Sequence, residues 1–371
     1  MKRKKYQQPK KIRIQGITEK ILLAGLILVC VILLAFGMYM IIRSVGMSSL
    51  YKHGGETSMQ ELSRNLSEPI TTAAEDEEDA YLELEEGQII YEGEVWEYNE
   101  DIMTFLCMGV DARSGITDEK TYGKGGQADA VLLAVANPHT KEIRIINVNR
   151  DSMIDVEVYD TDGNYVENKE GQLALQYAYG DGRIRSCELM EKAVSELFYG
   201  IPIHGFVALD MESIPSINDL AGGVDVTVPE DMTKYKADWK EGATIHLMGD
   251  DALMFIRERE FQSKELGSNL KRIERQKQYL SQFLIRLKEE TKKDITFPLT
   301  LYGKVQKHVV TSFSVDEITY LASSLIGYDF SSEQMMSIQG TMGMGEKNEE
   351  FYVDDKALRS LVIETFYEKA E

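Results

Sequence analysis

The stretch ADAVLLAVANPHTKEIRIINVNRD, residues 128–151, decides the fold, because it holds two apolar runs joined by a short polar segment. Residues 130–137 and 143–149 have the composition of strands, and NPHTKE between them is a proline-containing turn of hairpin length. Folding the runs back on each other about the middle of the turn places Asp129 opposite Arg150. The pattern therefore predicts an antiparallel hairpin with an ionic pair at its open end.

A third apolar run, IMTFLCMGVD, also ends in an acid, Asp111. If this run joins the same sheet parallel to the second run of the hairpin, Asp111 reaches the same end as Asp129 and Arg150. Successive strand residues point to opposite faces. We therefore expect Arg150 to point into a site there, while Asp151 braces a neighbouring arginine or the loop backbone.

The N-terminal region predicts the compartment. Residues 21–42 contain no charged residue, and 22 residues rising ~1.5 Å each reach roughly 33 Å, enough to cross the hydrocarbon layer of a bilayer. Residues 1–20, a basic tail with eight Lys or Arg against one acid, should stay in the cytoplasm. A cleavable signal would be shorter and followed by a small-residue cleavage site, which RSVGMSS does not offer. We predict a single-pass type II protein of the cell membrane with its main domain extracellular.

Composition limits the other possibilities. Residues 44–100 hold fifteen acidic residues against two basic ones, so we predict an acidic, solvated linker over residues 43–97. The formal net charge of −21 argues against a nucleic-acid partner, which would require a basic stripe. The three cysteines, one of them inside the predicted anchor, suggest neither a disulfide framework nor a zinc site.

Charged residues end many strands simply because strands end in water, so any one of the rim residues has a plain structural interpretation. Three at one rim favour a site. Two neighbouring carboxylates repel each other unless a cation or an arginine lies between them. Outside the cell, a carboxylate pair beside phosphate suggests Mg²⁺, with Mn²⁺ as a second possibility.

Arginines gather in two further segments of this acidic chain. Arg257 and Arg259 in ALMFIRERE share a face if the segment is extended and diverge if it is helical. Arg272, Arg275 and Gln276 are spaced i, i+3, i+4, which places them on one helical face. Such a face is often only a solvated surface. The alternative is phosphate binding, since the guanidinium fork matches two phosphate oxygens.

Helical patterns and short strands alternate along residues 98–371, which predicts one domain, a three-layer α/β/α sandwich with a mixed central sheet. The helical patterns cover residues 186–200, 211–223, 268–293 and 315–327, and the terminal segment DDKALRSLVIETFYEKA. The apolar stretch at 195–211 is either core or the lining of a lipid cleft.

Several spaced motifs in one order now point to a family. After the N-terminal anchor come FLCMGVD, ADAVLLAVANP, INVNRD, LQYAYGDG, GGVDV, ALMFIRER and RIERQ. In this order the chain resembles the LytR–CpsA–Psr family of bacterial cell-envelope phosphotransferases. The resemblance covers most of residues 100–345. It implies transfer of a glycopolymer, of the teichoic-acid or capsule type, from a polyprenyl-pyrophosphate carrier to peptidoglycan, with a phosphodiester formed with the help of Mg²⁺.

The resemblance also implies roles for individual residues. Asp111 and Asp129 resemble the metal-holding carboxylates, and Arg150 resembles the arginine of the family's Arg-Asp step; Asp129 and Asp151 are alternatives for the base. The pyrophosphate-binding set would comprise Arg257, Arg259, Arg272 and Gln276, to which helical spacing adds Arg275.

Two positions depart from the family pattern. Gln127 stands where an arginine is usual, and Asn269 where an aspartate is. The first change removes a charge-assisted contact worth ~1.5–3 kcal/mol. Arg113, two residues beyond Asp111, is a candidate replacement for the missing cation.

Three alternatives remain open at this stage. The same pocket could bind polyprenyl phosphates without chemistry, as a regulator or scaffold of envelope assembly. It could instead hydrolyse the carrier pyrophosphate and release free polymer. An extracellular adhesin would explain the anchor and the linker but not the clustered arginines.

Overall fold

A computed structural model describes residues 38–53, 59–66, 84–111, 116, 121–257, 268–345 and 348–370 of the chain. The strands are β1 Gln88–Tyr91, β2 Glu94–Tyr98, β3 Met103–Val110, β4 Ala128–Asn137, β5 Glu142–Val148, β6 Met153–Tyr159, β7 Tyr165–Gln172, β8 Phe206–Asp210, β9 Val224–Thr227, β10 Thr244–Leu247, β11 Val309–Thr311, β12 Met335–Ser337, β13 Gly340–Met344, β14 Glu349–Val353 and β15 Tyr367–Lys369. The helices are α1, described over residues 38–53, α2 Met59–Leu66, α3 Leu173–Ala178, α4 Ile184–Leu197, α5 Ile214–Leu220, α6 Asp250–Arg257, α7 Ser268–Lys293, α8 Phe297–Val305, α9 Val315–Leu325 and α10 Asp355–Phe366. Short 3-10 turns lie at Met211–Ser213, Gln306–His308 and Ser332–Gln334.

The central sheet has six strands in the order β11-β8-β3-β4-β5-β12. The strands β3, β4 and β5 form an antiparallel meander, β8 runs parallel to β3, and β12 runs parallel to β5. The predicted mixed α/β fold with a mixed central sheet is therefore confirmed. The carboxyl ends of β3, β5 and β8 meet the beginning of β4 at one rim.

The two faces of this sheet have different environments. One face sends Leu106, Val131 and Ile146 into the main core, where Cys187 and Met190 of α4 also pack. The helical run predicted over 186–200 is thus α4, and its apolar spacing is explained by this contact.

On the opposite face, the end of β3 farthest from the rim packs against helices. Phe105 there belongs to a smaller cluster with Tyr320 of α9 and Leu50 of α1. Nearer the rim, Cys107 and Leu132 face Phe283 of α7 across a cavity. Helices therefore cover both faces, and the cavity separates the sheet from α7.

The described parts of residues 43–97 correct the predicted solvated linker. Leu50 of α1, Leu62 and Leu66 of α2 and Ile89 of β1 are fully buried. The two leucines of α2 stand four residues apart, so they share one helical face and pack into the main core. Acid-rich composition averaged over a long segment hid these short amphipathic elements.

No helix within the described residues, which leave out residues 1–37, is long and apolar enough to cross a membrane. Nearly all of the predicted anchor at residues 21–42 lies outside the described residues, so its span stays a prediction.

Candidate functional site

The open end of the β4–β5 hairpin has the predicted register. Val131 pairs with Val148, so positions 129 and 150 stand opposite each other, and the Arg150 guanidinium forms an ion pair with the Asp129 carboxylate. Both side chains are about 30% exposed, at 28% and 31%, which leaves them within reach of a ligand. The ionic pair predicted from the hairpin is confirmed.

Asp151 braces the arginine beside it. Its Oδ1 lies 3.6 Å from Arg150 Nε and accepts a 2.9 Å hydrogen bond from Gln172 Nε2, while its backbone carbonyl accepts one from Phe351 N. β5 has already ended at Val148, so strand alternation no longer separates Arg150 from Asp151. Both line the cavity.

Asp111 follows the last residue of β3 and completes the rim. Its backbone N–H donates to the Gln127 carbonyl at 3.2 Å, and its Oδ2 lies 3.9 Å from Arg257 Nη2. Arg257 also contacts Glu212, whose hydrogen bond raises the pKa of the guanidinium and keeps it charged. Arg257 is the last residue of α6, so ALMFIR is helical.

Helix α7 brings Arg272 and Gln276 to the cavity. The Gln276 amide donates to the Ile256 carbonyl at 3.2 Å, which fixes that side chain between α7 and α6. Lys277 lines the cavity as well and was not predicted.

Arg275 corrects the prediction that all three α7 residues bind phosphate. Its side chain is only 4% exposed, and its Nη1 lies 2.5 Å from Glu230 Oε1 and 3.6 Å from Met232 Sδ. Positions i+3 and i+4 of a helix stand 100° apart, so they can face different neighbours. Arg275 is accordingly part of a buried ion pair, whereas Gln276 reaches the cavity.

The cavity has a volume of about 310 Å³ and is mostly apolar. Residues of β3, β4, β8 and α7 form its walls, among them Cys107, Gly109, Ala130, Leu132, Val207, Leu209, Tyr279, Leu280 and Phe283. Asp129, Arg150, Asp151 and Arg272 also line it. The stretch at 195–211 divides accordingly: Val207, Leu209 and Met211 line the cavity, while Phe198 and Phe206 belong to the core.

Some predicted residues lie outside the described ones, namely Arg113, Arg259 and the side chain of Asn269. Others were missed. Glu212 had a usable signal, because it follows β8, which runs parallel to β3 and ends at the same rim. Gln172 and Glu230 had no such signal in the sequence, since each reaches its partner, Asp151 or Arg275, from a distant element.

The acids of the rim suit a metal shared with a ligand. Within the described part of the chain, no three His, Cys, Asp or Glu side chains converge to hold a metal ion. Mg²⁺, however, commonly takes one or two carboxylates and completes its shell with phosphate oxygens and water. Asp111 Oδ2 lies 3.9 Å from Arg257 Nη2, and the negative charges of Asp111 and Asp129 both help to raise the pKa of that guanidinium. They fit such a shared site and not a closed protein cage.

Fold and cavity together define a class: a mixed α/β protein with an apolar cavity beside an ionic rim of arginines and carboxylates. The chain belongs to the LytR_cpsA_psr family, whose model matches residues 64–365. The resemblance inferred from the motifs is confirmed.

Relatives of known description support this placement. The chain is 26% identical over 263 residues, 68% of its length, to polyisoprenyl-teichoic acid–peptidoglycan teichoic acid transferase TagV of Bacillus subtilis strain 168. It is 28% identical over 221 residues, 58% of its length, to TagU of Bacillus cereus strain AH820, which carries the same description. The match spans 62% of the length of each relative.

Solved structures share the fold. The crystal structure of Bacillus subtilis TagV superposes with a TM-score of 0.54 at 22% identity, covering 72% of this chain and 98% of that one. The structure of TagT bound to LI-WTA superposes with a TM-score of 0.52 at 20% identity, covering 71% and 89%.

Proposed function

We propose that this protein transfers a glycopolymer, of the teichoic-acid or capsule type, from a polyprenyl-pyrophosphate carrier to peptidoglycan. The observation that carries the proposal is the junction of two environments in one cavity. An apolar wall suits an isoprenoid tail, and the arginines Arg150 and Arg272 beside it suit the pyrophosphate. The names of TagV and TagU, polyisoprenyl-teichoic acid–peptidoglycan teichoic acid transferases, support a lipid-linked polymer as donor and peptidoglycan as acceptor.

The reaction makes one phosphorus–oxygen bond and breaks another. A hydroxyl oxygen of peptidoglycan attacks the phosphorus that bears the polymer, and the bond to the bridging oxygen breaks, so that polyprenyl phosphate leaves. Arg150 and Arg272 would bind the phosphate oxygens and stabilise the charge that grows on the bridge. Phosphoryl transfer depends largely on this positioning and electrostatic stabilisation.

Asp111 and Asp129 would hold Mg²⁺, or Mn²⁺, which when bound would supply further neutralisation of the phosphate charge. The hydroxyl proton would pass to Asp151 or Asp129, the two carboxylates that line the cavity. Gln172 holds one oxygen of Asp151 in place, so that carboxylate keeps a fixed orientation.

We further propose that residues 21–42 anchor the chain in the bacterial cell membrane with the domain outside. Protein and lipid carrier then share one surface, which raises their effective concentration for each other. The wall acceptor lies in the same compartment.

The test compares two arginines of the β4–β5 hairpin. Full-length protein in proteoliposomes is given a polyprenyl-pyrophosphate-linked polymer, Mg²⁺ and peptidoglycan, and transfer is measured as wall-bound polymer. We expect Arg150→Ala to lower the rate by about 10²–10³-fold, the usual loss for one transition-state charge contact. The control is Arg144→Ala, in β5 and six residues before Arg150, whose Nη1 donates to the Glu364 carbonyl at 3.2 Å; it should transfer within about twofold of wild type.

If Arg150→Ala transferred polymer at the rate of the Arg144→Ala control, the proposed role of Arg150 in the site would be wrong. Polymer released without peptidoglycan would identify a hydrolase. Carrier bound by the wild type with no metal-dependent turnover would identify a binding protein instead of a transferase.

A further inference from the structure

Helix α1 is fixed to the domain through its first charged residue. Arg43 Nε donates to Ser323 Oγ at 3.2 Å, its Nη2 donates to Ser324 Oγ at 3.4 Å, and its guanidinium lies 5.6 Å from the centroid of the Tyr320 ring. All three partners belong to α9. The Arg43 guanidinium therefore binds to α9 of the domain.

Contacts continue along the next two turns of α1. A Cβ on Gly46 would lie 2.2 Å from the Asp316 carbonyl oxygen, so only glycine allows the two helices to approach this closely. Leu50 is fully buried, and the Tyr51 hydroxyl donates to the Asp101 carbonyl at 3.0 Å. A helix held at Arg43, Gly46 and Leu50 cannot swing as a stalk.

The exposed residues of the same turns are Ser44, Val45, Met47 and Ser48, two of which are apolar. Val45 and Met47 are 54% and 47% exposed, and Val315, next to the Asp316 contact, is 60% exposed. Residues 21–51 contain one charged residue, Arg43. Exposed apolar side chains that continue an uncharged run of membrane-spanning length indicate a lipid surface.

We propose that α1 and the start of α9 seat the domain on the bilayer, with Val45, Met47 and Val315 in the phospholipid headgroup layer. This rests on the membrane anchorage proposed above. The first charge after an apolar span marks the edge of the hydrocarbon. At ~1.5 Å per residue, Val45 to Met47 lie about 3–6 Å beyond Arg43. The headgroup layer is about 5–7 Å thick on each side.

The seat orients the cavity. On the cavity face of β3, Phe105 packs against α1 and α9, Cys107 lines the cavity, and Asp111 stands at the rim. Six residues of strand, about 20 Å, separate Phe105 from Asp111. The membrane thus lies at the Phe105 end of the cavity face, away from the arginines of the rim. A lipid tail would enter the cavity from the membrane end, and its pyrophosphate would reach the rim.

The experiment uses full-length protein in phosphatidylglycerol–phosphatidylethanolamine vesicles that contain a phospholipid with a photoreactive headgroup. Cross-linked peptides are quantified by mass spectrometry. We expect labelling around Val45 and Val315 at least tenfold above that around Tyr352, a residue of β14 with 47% exposure that serves as reference. Equal labelling of Val315 and Tyr352 would overturn the seat.

Two glycines test the docking itself. Gly46→Leu should force α1 from α9 and abolish labelling at Val315 while the protein stays in the membrane. Gly303→Leu in α8 is the control, since a Cβ there meets nothing within 4 Å. Unchanged labelling in Gly46→Leu would also refute the seat. Resistance to carbonate extraction separates the two proposals: extraction of the wild type refutes the anchor, whereas a resistant protein without Val315 labelling refutes only the seat.

Discussion

The buried ion pair between Arg275 and Glu230 gives the sharpest test of how α7 divides its arginines. The Arg275 and Glu230 side chains are 4% and 13% exposed, with Nη1 and Oε1 2.5 Å apart. Removing one member of a buried pair leaves a buried charge without that partner and costs about 3–5 kcal/mol. We therefore expect Glu230→Gln to lower the free energy of unfolding by this amount.

The size of the effect translates into a melting shift. The matched family region spans residues 64–365, or 302 residues, and an unfolding entropy of about 2.1 cal/mol/K per residue gives roughly 0.63 kcal/mol/K. A loss of about 3–5 kcal/mol then lowers Tm by about 5–8 °C. Calorimetry together with urea unfolding would measure both quantities.

Lys293→Ala is the matched control on the same helix. Lys293 pairs with Glu290 at 2.7 Å, but its side chain is 65% exposed, so its loss should cost at most about 1 kcal/mol. The double variant Glu230→Leu with Arg275→Met should recover most of the stability, because an apolar pair often replaces a buried ion pair without loss.

A stability of Glu230→Gln within 1 kcal/mol of wild type would contradict the structural role of the pair. The original interpretation of Arg275 would then return if Arg275→Met also weakened inorganic pyrophosphate binding without lowering Tm.

Three further perturbations have outcomes that the structure fixes. Leu132→Trp should fill the cavity and weaken binding of a short polyprenyl phosphate at least tenfold in calorimetric titration, while Leu132→Met, of similar volume, should bind as wild type. Burial, with Glu188 nearby, raises the pKa of Glu191 from 4.5 to about 7, so between these pH values the folded protein holds a proton that the unfolded chain releases. Stability should therefore fall as pH rises from 4.5 to about 7, and Glu191→Gln should reduce this fall, measured as the change in Tm with pH. Burial lowers the pKa of His204 from 6.5 to about 4, so between these pH values the unfolded chain binds a proton that the folded protein does not. Stability should therefore fall by up to about 3 kcal/mol as pH drops from 6.5 to 4. His204→Asn, which keeps an acceptor for the Thr104 N–H, should lessen that loss in urea titrations at each pH.

Local patterns predicted the parts of the fold that depend on near neighbours. The register of β4 and β5 followed from the turn alone, and α7 runs over Ser268–Lys293, the residues its pattern predicts. Both are elements whose periodicity or turn length is complete within a short window. The rim could be inferred because β3, β4 and β5 are consecutive antiparallel strands.

Long-range partners could not be predicted in this way. Gln172 meets Asp151 only because the β6–β7 hairpin returns to the rim, and Glu230 meets Arg275 across 45 positions. A helical spacing gives a face but not the identity of the neighbour on each side of it. For the same reason, the burial of Leu62 and Leu66 depended on a core formed by distant strands.

The ion pair between Arg150 and Asp129 has a consequence for ligand binding. In the proposed reaction Arg150 binds phosphate and Asp129 holds the metal, so each must exchange its present partner for a new one. A ligand that takes either residue releases the other, which makes the binding of pyrophosphate and of Mg²⁺ favour each other by linkage. Asp129→Asn should therefore raise the affinity for inorganic pyrophosphate measured without Mg²⁺, because Arg150 no longer has to leave the Asp129 carboxylate, and should abolish the gain that Mg²⁺ gives the wild type. Asp155→Asn, at an exposed position of β6, is the control and should leave both affinities unchanged. Equal Mg²⁺ enhancement in the wild type and in Asp129→Asn would show that the two residues do not exchange partners in this way.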